Sequence, residues 1–196
     1  MDASLACFAD RPLRSDGPFT QRFRAAGVSD FVGAATLIWR LPYGRIVDRN
    51  QFWLVLEEGR GTCTTKHALL SELAREQGID VQLTLGIYEM NEGNTPGVGA
   101  VLGKYDLACI PEAHCFLRYQ GERVDVTGVA VGAGPIERFL HEEPITVEQI
   151  GAYKIDFHRR FLAEWLARRD AGDALSLDEA WRIREECIAA LSASNG

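Results

Sequence analysis

The spacing of apolar residues changes twice along this chain, and these changes limit the folds that it can adopt. In the N-terminal part, apolar residues recur three and four positions apart, as on one face of a helix. Residues 80–88, 113–120 and 123–129 instead alternate apolar and polar side chains, which is typical of strands. Residues 152–169 and 176–192 return to helical spacing. Because the strands follow one another without intervening helices, the order predicts an α+β fold with an antiparallel sheet, not a doubly wound one.

Capping residues predict where several helices begin and end. Ser29-Asp30 can cap a helix that stops at Leu41-Pro42, because the residue before a proline disfavours helical backbone. Thr62 is an N-cap candidate for the clearest helix, which Gly78 ends as a C-cap. A Ser-x-x-Glu pattern from Ser176 is a capping box at the start of the last helix.

The length and composition predict one soluble domain over residues 1–196, since 196 residues can bury a sizeable core. The core would span about 30–150, and a C-terminal helical extension would follow over about 151–196. The net charge of −7 argues against a nucleic-acid partner, because an acidic chain has no field that would attract phosphates.

The five cysteines are odd in number and scattered, so they do not predict a disulfide framework. No second Cys or His pair exists at the spacing of a structural zinc site, and we expect no metal and no other cofactor. The N-terminus lacks the pattern of a secretory signal, and the longest mostly apolar stretch, Phe31 to Trp39, is too short to span a membrane. These features predict a protein of the reducing cytoplasm with no membrane partner.

The run Gly-Arg-Gly-Thr-Cys places the thiol of Cys63 in the first turn of a predicted helix. The N–H groups and the macrodipole at a helix start stabilise negative charge, which favours the reactive thiolate. The two glycines permit a tight turn and leave room for a substrate backbone, and the N–H group of Cys63 could be one oxyanion-hole donor. We therefore predict that Cys63 is a nucleophile. The remaining cysteines are interpreted as small buried apolar residues: Cys7, Cys109, Cys115 and Cys187.

A nucleophilic cysteine needs a base, and the base needs an orienting partner. His114 lies on an alternating strand, and Asp125 lies on the strand that returns after a predicted hairpin at Gln120-Gly121. With a two-residue loop, Phe116 is opposite Asp125 and His114 is opposite Thr127. Because side chains alternate along strands, His114 and Asp125 then share one face as diagonal neighbours. This parity predicts His114 as the base and Asp125 as its partner, and an odd loop or a bulge would remove it.

Other assignments of the polar residues stay open. His67 lies four residues after the nucleophile on the same helical face and is a rival base, although a base on the same helix leaves poor room for a substrate. His67 and Lys66 can equally be surface or packing residues of the helix, with no role in catalysis. Asp125 can simply form an ion pair across the hairpin with Arg118 or Arg123.

Three further features are interpreted as structural. His141 and His158 fall in helical or loop surroundings and are expected to be surface or packing residues. The glycine-rich segment 94–99 could act as a lid, but a connecting loop is the simpler interpretation. It lacks the Lys-Ser/Thr ending of a phosphate-binding loop, which excludes nucleotide binding there.

The order of the three predicted site residues resembles that of the transglutaminase-like superfamily, which shares its core with papain-like cysteine proteases. In that superfamily a cysteine at a helix start precedes a strand with Ala-His and a hairpin to a strand that carries Asp. Residues 50–130 carry the resemblance, with 51 positions from Cys63 to His114 and 11 from His114 to Asp125. The resemblance implies a transglutaminase-like α+β core with Cys63 as nucleophile, His114 as base and Asp125 as orienting group. The superfamily includes transglutaminases, peptidases, amidases and peptide N-glycanases, so it does not fix the substrate.

Members of this superfamily often supply a second oxyanion donor from an upstream aromatic or amide side chain. Gln51 is the best chemical candidate in this chain, and Trp53 and Tyr43 are the next candidates. No motif marks this donor, and the chain from about residue 150 onward matches no motif of the family.

The expected activity is that of a cysteine-dependent hydrolase, of protease or amidase type, or of an acyltransferase. The substrate would be a peptide or a small amide, and its acyl group would form a thioester with Cys63. The alternative is a non-catalytic module that keeps the transglutaminase-like fold and binds a peptide or a carbonyl group. The sequence leaves the oligomeric state and the identity of the substrate open.

Overall fold

The helix boundaries predicted from capping residues recur in the computed structural model, which describes residues 5, 7–8, 11–128, 136–169 and 175–194. The helices in the described ranges are α1 Pro18–Ala25, α2 Phe31–Arg40, α3 Leu54–Glu58, α4 Cys63–Glu76, α5 Gly99–Gly103, α6 Ala152–Ala167 and α7 Leu177–Ser194. The strands are β1 Val81–Met90, β2 Ile110–Tyr119, β3 Glu122–Val124 and β4 His141–Pro144. They form one antiparallel sheet in the order β3-β2-β1-β4, which confirms the α+β class.

The predicted caps lie where the sequence placed them. Asp30 accepts a hydrogen bond from the N–H group of Gly33 at 2.6 Å, and Leu41 follows the end of α2. Thr62 is the N-cap of α4, and Gly78 follows its C-cap with a φ of 64°, a backbone conformation that favours glycine. At the start of α7, the Glu179 carboxylate accepts the N–H group of Ser176 at 2.9 Å, which completes the capping box.

The hairpin between β2 and β3 has the predicted two-residue loop. Gln120 and Gly121 have φ angles of 51° and 84°, as in the turns that match the twist of paired strands. The register pairs Leu117 with Val124 and Tyr119 with Glu122, as the two-residue loop predicts, but the predicted pairs Phe116–Asp125 and His114–Thr127 lie beyond the end of this ladder. The return strand is shorter than predicted, because β3 ends at Val124 and not at residue 129.

The fourth strand was not predicted. His141 was expected in a helix or a loop, and that expectation is wrong, because it begins β4. The backbone on either side of β4 pairs with β1: the N–H group of Leu140 donates to Ile87, and that of Ile145 donates to Leu83. The sequence His-Glu-Glu-Pro has no alternation of apolar and polar side chains, and it ends in a residue that cannot donate a ladder hydrogen bond. Such an exposed edge strand leaves no pattern to detect.

The chain divides into two compact units. The first comprises residues 1–85, 115–128 and 143–150, and the second comprises residues 86–114, 129–142 and 151–196. In the first unit, α4 packs against α1, α2, α3 and a 3-10 helix, Val147–Ile150. In the second, α7 packs against α5 and α6. The prediction of a single domain, with a core of about 30–150 and an extension of about 151–196, stays a prediction.

Helix α4 holds the first unit together at both of its ends. Its last residue, Glu76, accepts hydrogen bonds from the N–H groups of Phe19 and Thr20 at 3.0 and 2.7 Å. This carboxylate satisfies the start of α1, whose own N-cap, Gly17, has no side chain to do so. The first turn of α4 is buried as well, and Cys63 begins it.

A buried ion pair holds α7 on β2 in the second unit. Arg184 donates to both oxygens of the Glu112 carboxylate at 2.5 Å. Burial opposes ionisation of Glu112, but the surrounding cationic groups, Arg184 foremost, together outweigh it and lower the pKa of the carboxyl group. On α6, the buried side chains are Lys154, His158 and Leu162, whereas three aromatic residues are only half-buried: Phe157, Phe161 and Trp165.

Candidate active site

Cys63 is the first residue of α4, as predicted, and it is buried to 7% exposure. Its Sγ atom lies 3.8 Å from the hydroxyl of Thr64. The N–H group of Thr62 donates to Thr65 Oγ1 at 3.1 Å, which fixes the turn that leads into the helix. A thiol at this end of a long helix lies where the helix macrodipole favours its ionised form.

The glycines before Cys63 serve the fold of the loop. Gly59 has a φ of 65° and ends α3, a conformation that a side chain would strain. A Cβ atom on Gly61 would lie 2.8 Å from Cγ of Lys66 and 3.0 Å from Val55. Gly61 therefore leaves room for the stem of Lys66, and that is a packing role the sequence did not indicate.

His67, the rival base, has both ring nitrogens engaged with backbone groups. Its Nε2 atom accepts the N–H group of Val126 at 2.8 Å, so the proton lies on Nδ1, which donates to the carbonyl oxygen of Cys63 at 2.6 Å. The side chain is completely buried. This geometry favours the packing interpretation of His67, because neither nitrogen is directed at the Cys63 sulfur by these bonds.

Lys66 is the polar residue that sequence reasoning undervalued. It is completely buried, and its Nζ atom donates to the carbonyl oxygens of Leu41 at 2.5 Å and Thr127 at 2.7 Å. Burial lowers its pKa to about 8, while the charges of Asp125 and Cys63 oppose that fall. One signal was present: Lys66 falls three, four and seven residues before the buried leucines of α4, Leu69, Leu70 and Leu73.

Asp125 lies one residue beyond β3 and belongs to the same unit as Cys63. Its Oδ1 atom accepts the N–H group of Thr127 at 2.8 Å and lies 3.5 Å from Nε2 of His67. The side chain is 37% exposed. The structure therefore brings Cys63, Lys66, His67 and Asp125 together in the first unit.

His114 lies on β2 in the second unit and is buried to 7% exposure. The ring of Phe139 stacks on it at a centroid distance of 6.3 Å, and the ring of Tyr88 meets it edge-on at 6.0 Å. The next residue of the strand, Cys115, belongs to the first unit, so β2 runs through both units. Aromatic walls of this kind hold an imidazole in one orientation.

The three candidates for a second oxyanion donor lie in the first unit. Gln51 is exposed, and its amide nitrogen donates to the carboxylate of Asp48 at 3.0 Å. Trp53 lies under the guanidinium of Arg22, with 5.8 Å between Cζ and the ring centroid. Tyr43 is buried, and its backbone forms a bridge with Gly61, two residues before the nucleophile.

No protein-family model, curated protein or solved structure matches this chain. The resemblance to the transglutaminase-like superfamily therefore rests on the order of Cys63, His114 and Asp125 and stays a prediction. Among the described residues, no three His, Cys, Asp or Glu side chains lie close enough to hold a metal ion. In those same ranges no helix is both long and apolar enough to cross a membrane.

Proposed function

We propose that the chain is a cysteine-dependent hydrolase of amide or peptide bonds, built on a transglutaminase-like core and acting in the cytoplasm. The observation that carries the proposal is the position of Cys63 as the first residue of the buried helix α4, in one cluster with Lys66 and Asp125. A helix start and a nearby ammonium group both favour a thiolate.

In the proposed reaction, His114 accepts the thiol proton and the sulfur of Cys63 attacks the carbonyl carbon of the amide. A C–S bond forms, the C–N bond breaks, and His114 returns the proton to the leaving amine. Water then attacks the thioester with His114 as base, which releases the acid and restores the thiol. Asp125 would hold the imidazole in the tautomer that this proton transfer needs. With an amine in place of water, the same thioester gives acyl transfer.

The other cysteines provide an internal comparison for this chemistry. Burial raises the pKa of Cys187 to about 11, and it also raises the pKa values of Cys7 and Cys109. Because only thiolates react quickly with iodoacetamide, these three thiols should react slowly at neutral pH. Cys7 and Cys109 are half-buried, so their burial is less complete than expected, whereas Cys115 and Cys187 are buried.

The test is the alkylation rate of each cysteine at neutral pH, read from peptide masses. We expect Cys63 to react at least about tenfold faster than the other four. His114→Ala should slow that reaction, and His141→Ala, at an exposed position, should not. If Cys63 reacts no faster than the others, the proposed hydrolase is wrong.

The hydrogen bonds of Asp125 favour the binding module as the second candidate, because its Oδ1 atom already holds the N–H group of Thr127 in a local turn. Asp125→Asn separates the two roles, since an amide oxygen can keep that turn while the negative charge is lost. Lower Cys63 reactivity in Asp125→Asn supports the hydrolase. A variant that alkylates like the wild type, with Asp125→Ala destabilised, would support a structural Asp125 and the module.

A further inference from the structure

The ammonium group of Lys66 joins three separate parts of the first unit. Lys66 itself lies in α4, the Leu41 carbonyl follows α2, and the Thr127 carbonyl follows β3. These partners lie 25 and 61 positions away along the chain. The side chain therefore holds the segment that carries Asp125 against the helix that begins with Cys63.

A stability role alone does not account for a cation at this position. Its two hydrogen-bond acceptors are neutral carbonyl groups, and removing an ammonium group from water is costly without an anionic partner. Lys66 also lies near the N-terminal end of α4, where the helix macrodipole is positive and disfavours a further positive charge. Methionine has a similar length and would fill the same space without either cost.

The anions that compensate this charge are the ones at the candidate site. The charges of Asp125 and Cys63 are the two that favour the protonated form of Lys66. Electrostatic coupling is reciprocal, so a protonated Lys66 favours the thiolate of Cys63 to the same degree that the thiolate favours the ammonium. At neutral pH the ammonium form predominates, since the pKa of Lys66 is about 8.

We propose that Lys66 is a positioning residue for the chemistry of Cys63. The buried positive charge of Lys66 maintains the cysteine as a thiolate at neutral pH. This inference rests on the proposed role of Cys63 as the nucleophile. The two carbonyl groups fix the ammonium in place, and Gly61 makes room for its stem.

Other charged groups on the elements packed against α4 are engaged elsewhere. Arg22 of α1 pairs with Glu57 of α3 at 2.6 Å, and Glu58 of α3 pairs with Arg60 at 2.9 Å. Glu148 of the 3-10 helix interacts with Arg75, at the opposite end of α4 from Cys63. Arg40 of α2 is exposed, and the buried His67 ring is held between two backbone groups. We therefore attribute a shift in the pKa of the Cys63 thiol to the charges of Lys66 and Asp125.

The first experiment is the pH dependence of Cys63 alkylation in the wild type, Lys66→Met and Lys104→Met. Lys104 is exposed, so its variant removes the same net charge without emptying the buried site. We expect Lys66→Met to move the midpoint of the rate profile upward by about one pH unit, which lowers the rate about tenfold at pH values well below both midpoints. Lys66→Met also leaves the carbonyl groups of Leu41 and Thr127 without their donor, so urea unfolding is used to establish that the variant is folded under the assay conditions. An unchanged midpoint in folded Lys66→Met would overturn the inference.

A second measurement needs no change at Lys66. The chain has three lysines, so the side-chain NMR signal of Lys66 can be followed through a pH titration in the wild type and in Cys63→Ala. Loss of the thiolate should lower the titration midpoint of Lys66, and equal midpoints would contradict the coupling. If the coupling is present but Cys63→Ala leaves amide hydrolysis intact, the proposed function fails and the electrostatic inference stands.

Discussion

The imidazole of His67 donates its Nδ1 proton to the carbonyl oxygen of Cys63 at 2.6 Å. Its Nε2 atom accepts the N–H group of Val126 at 2.8 Å, from the segment that follows β3. One buried ring therefore satisfies two backbone groups, and one of them, in Val126, lies 59 positions from His67 along the chain. This arrangement favours a packing role for His67 over the role of a base.

His67→Ala should lower the free energy of unfolding by about 2–4 kcal/mol, because it leaves a cavity and two buried backbone groups without their partner. Urea unfolding followed by circular dichroism measures this change. His141→Ala, at an exposed position, should change the same free energy by less than about 0.5 kcal/mol. A His67→Ala protein of wild-type stability whose Cys63 no longer alkylates would instead make His67 the base.

Features that depend on neighbouring residues were predictable from the sequence. The cap at Asp30 and the capping box at Ser176 use side chains that bond within three residues, so a short pattern defines them. The two-residue turn at Gln120-Gly121 likewise fixes the register of the hairpin, because the loop length sets which residues pair. The position of Cys63 at a helix start follows from the cap at Thr62.

Features that depend on distant parts of the chain were not predictable. Lysine is rarely buried, and the carbonyl groups that hold Lys66 lie far from it in sequence, so the helical spacing that places it on the buried face does not reveal its partners. The strand at His141 forms because β1 offers an edge, and its own residues carry no strand signal.

Acid should destabilise the protein partly through His158. Burial lowers the pKa of this histidine to about 4, and its Nε2 atom donates to the carbonyl oxygen of Pro111 at 2.8 Å. Because the folded-state pKa is below the unfolded value, the stability that neutral His158 contributes is complete above the unfolded pKa of about 6.5 and is lost as pH falls through about 4. The contribution is about 3 kcal/mol.

Unfolding free energies measured between pH 7 and pH 4 test this dependence. His158→Gln keeps a donor near Pro111 but cannot gain a proton, so its stability should fall less steeply than that of the wild type over this range. His141→Gln, at an exposed position, should retain the wild-type slope. Parallel curves for wild type and His158→Gln would show that His158 does not contribute to the acid sensitivity.

Thr127 and Thr95 are both buried, but their hydroxyl groups differ in hydrogen bonding. Thr127 Oγ1 has no hydrogen-bond partner among the described residues, whereas Thr95 Oγ1 bonds to the hydroxyl of Tyr88 at 2.9 Å. Valine has nearly the same shape as threonine, so Thr127→Val should stabilise the protein by about 1 kcal/mol and Thr95→Val should destabilise it by about 1–2 kcal/mol. Urea unfolding of both variants measures the contrast. Destabilisation by Thr127→Val would show that this hydroxyl has a bound partner in solution.

Gly128 ends the segment that carries Asp125 and Thr127, and both its backbone and its surroundings require glycine. Its φ is 69°, and an added Cβ atom would lie 2.1 Å from the carbonyl oxygen of Trp39. Gly59 has a similar φ of 65° but open space around the same position, so it isolates the cost of the backbone conformation. Gly59→Ala should cost about 1 kcal/mol, and Gly128→Ala about 3 kcal/mol or more.

The two glycine variants also test how the segment supports Cys63. Because the carbonyl group of Thr127 holds Lys66, a displaced segment would move the ammonium group and should lower the alkylation rate of Cys63 in Gly128→Ala. Gly59→Ala lies outside this segment and should retain the wild-type rate. Equal unfolding free energies for the two variants would show that the loop moves away from Trp39 at little cost, and the close approach would then be unimportant to the fold.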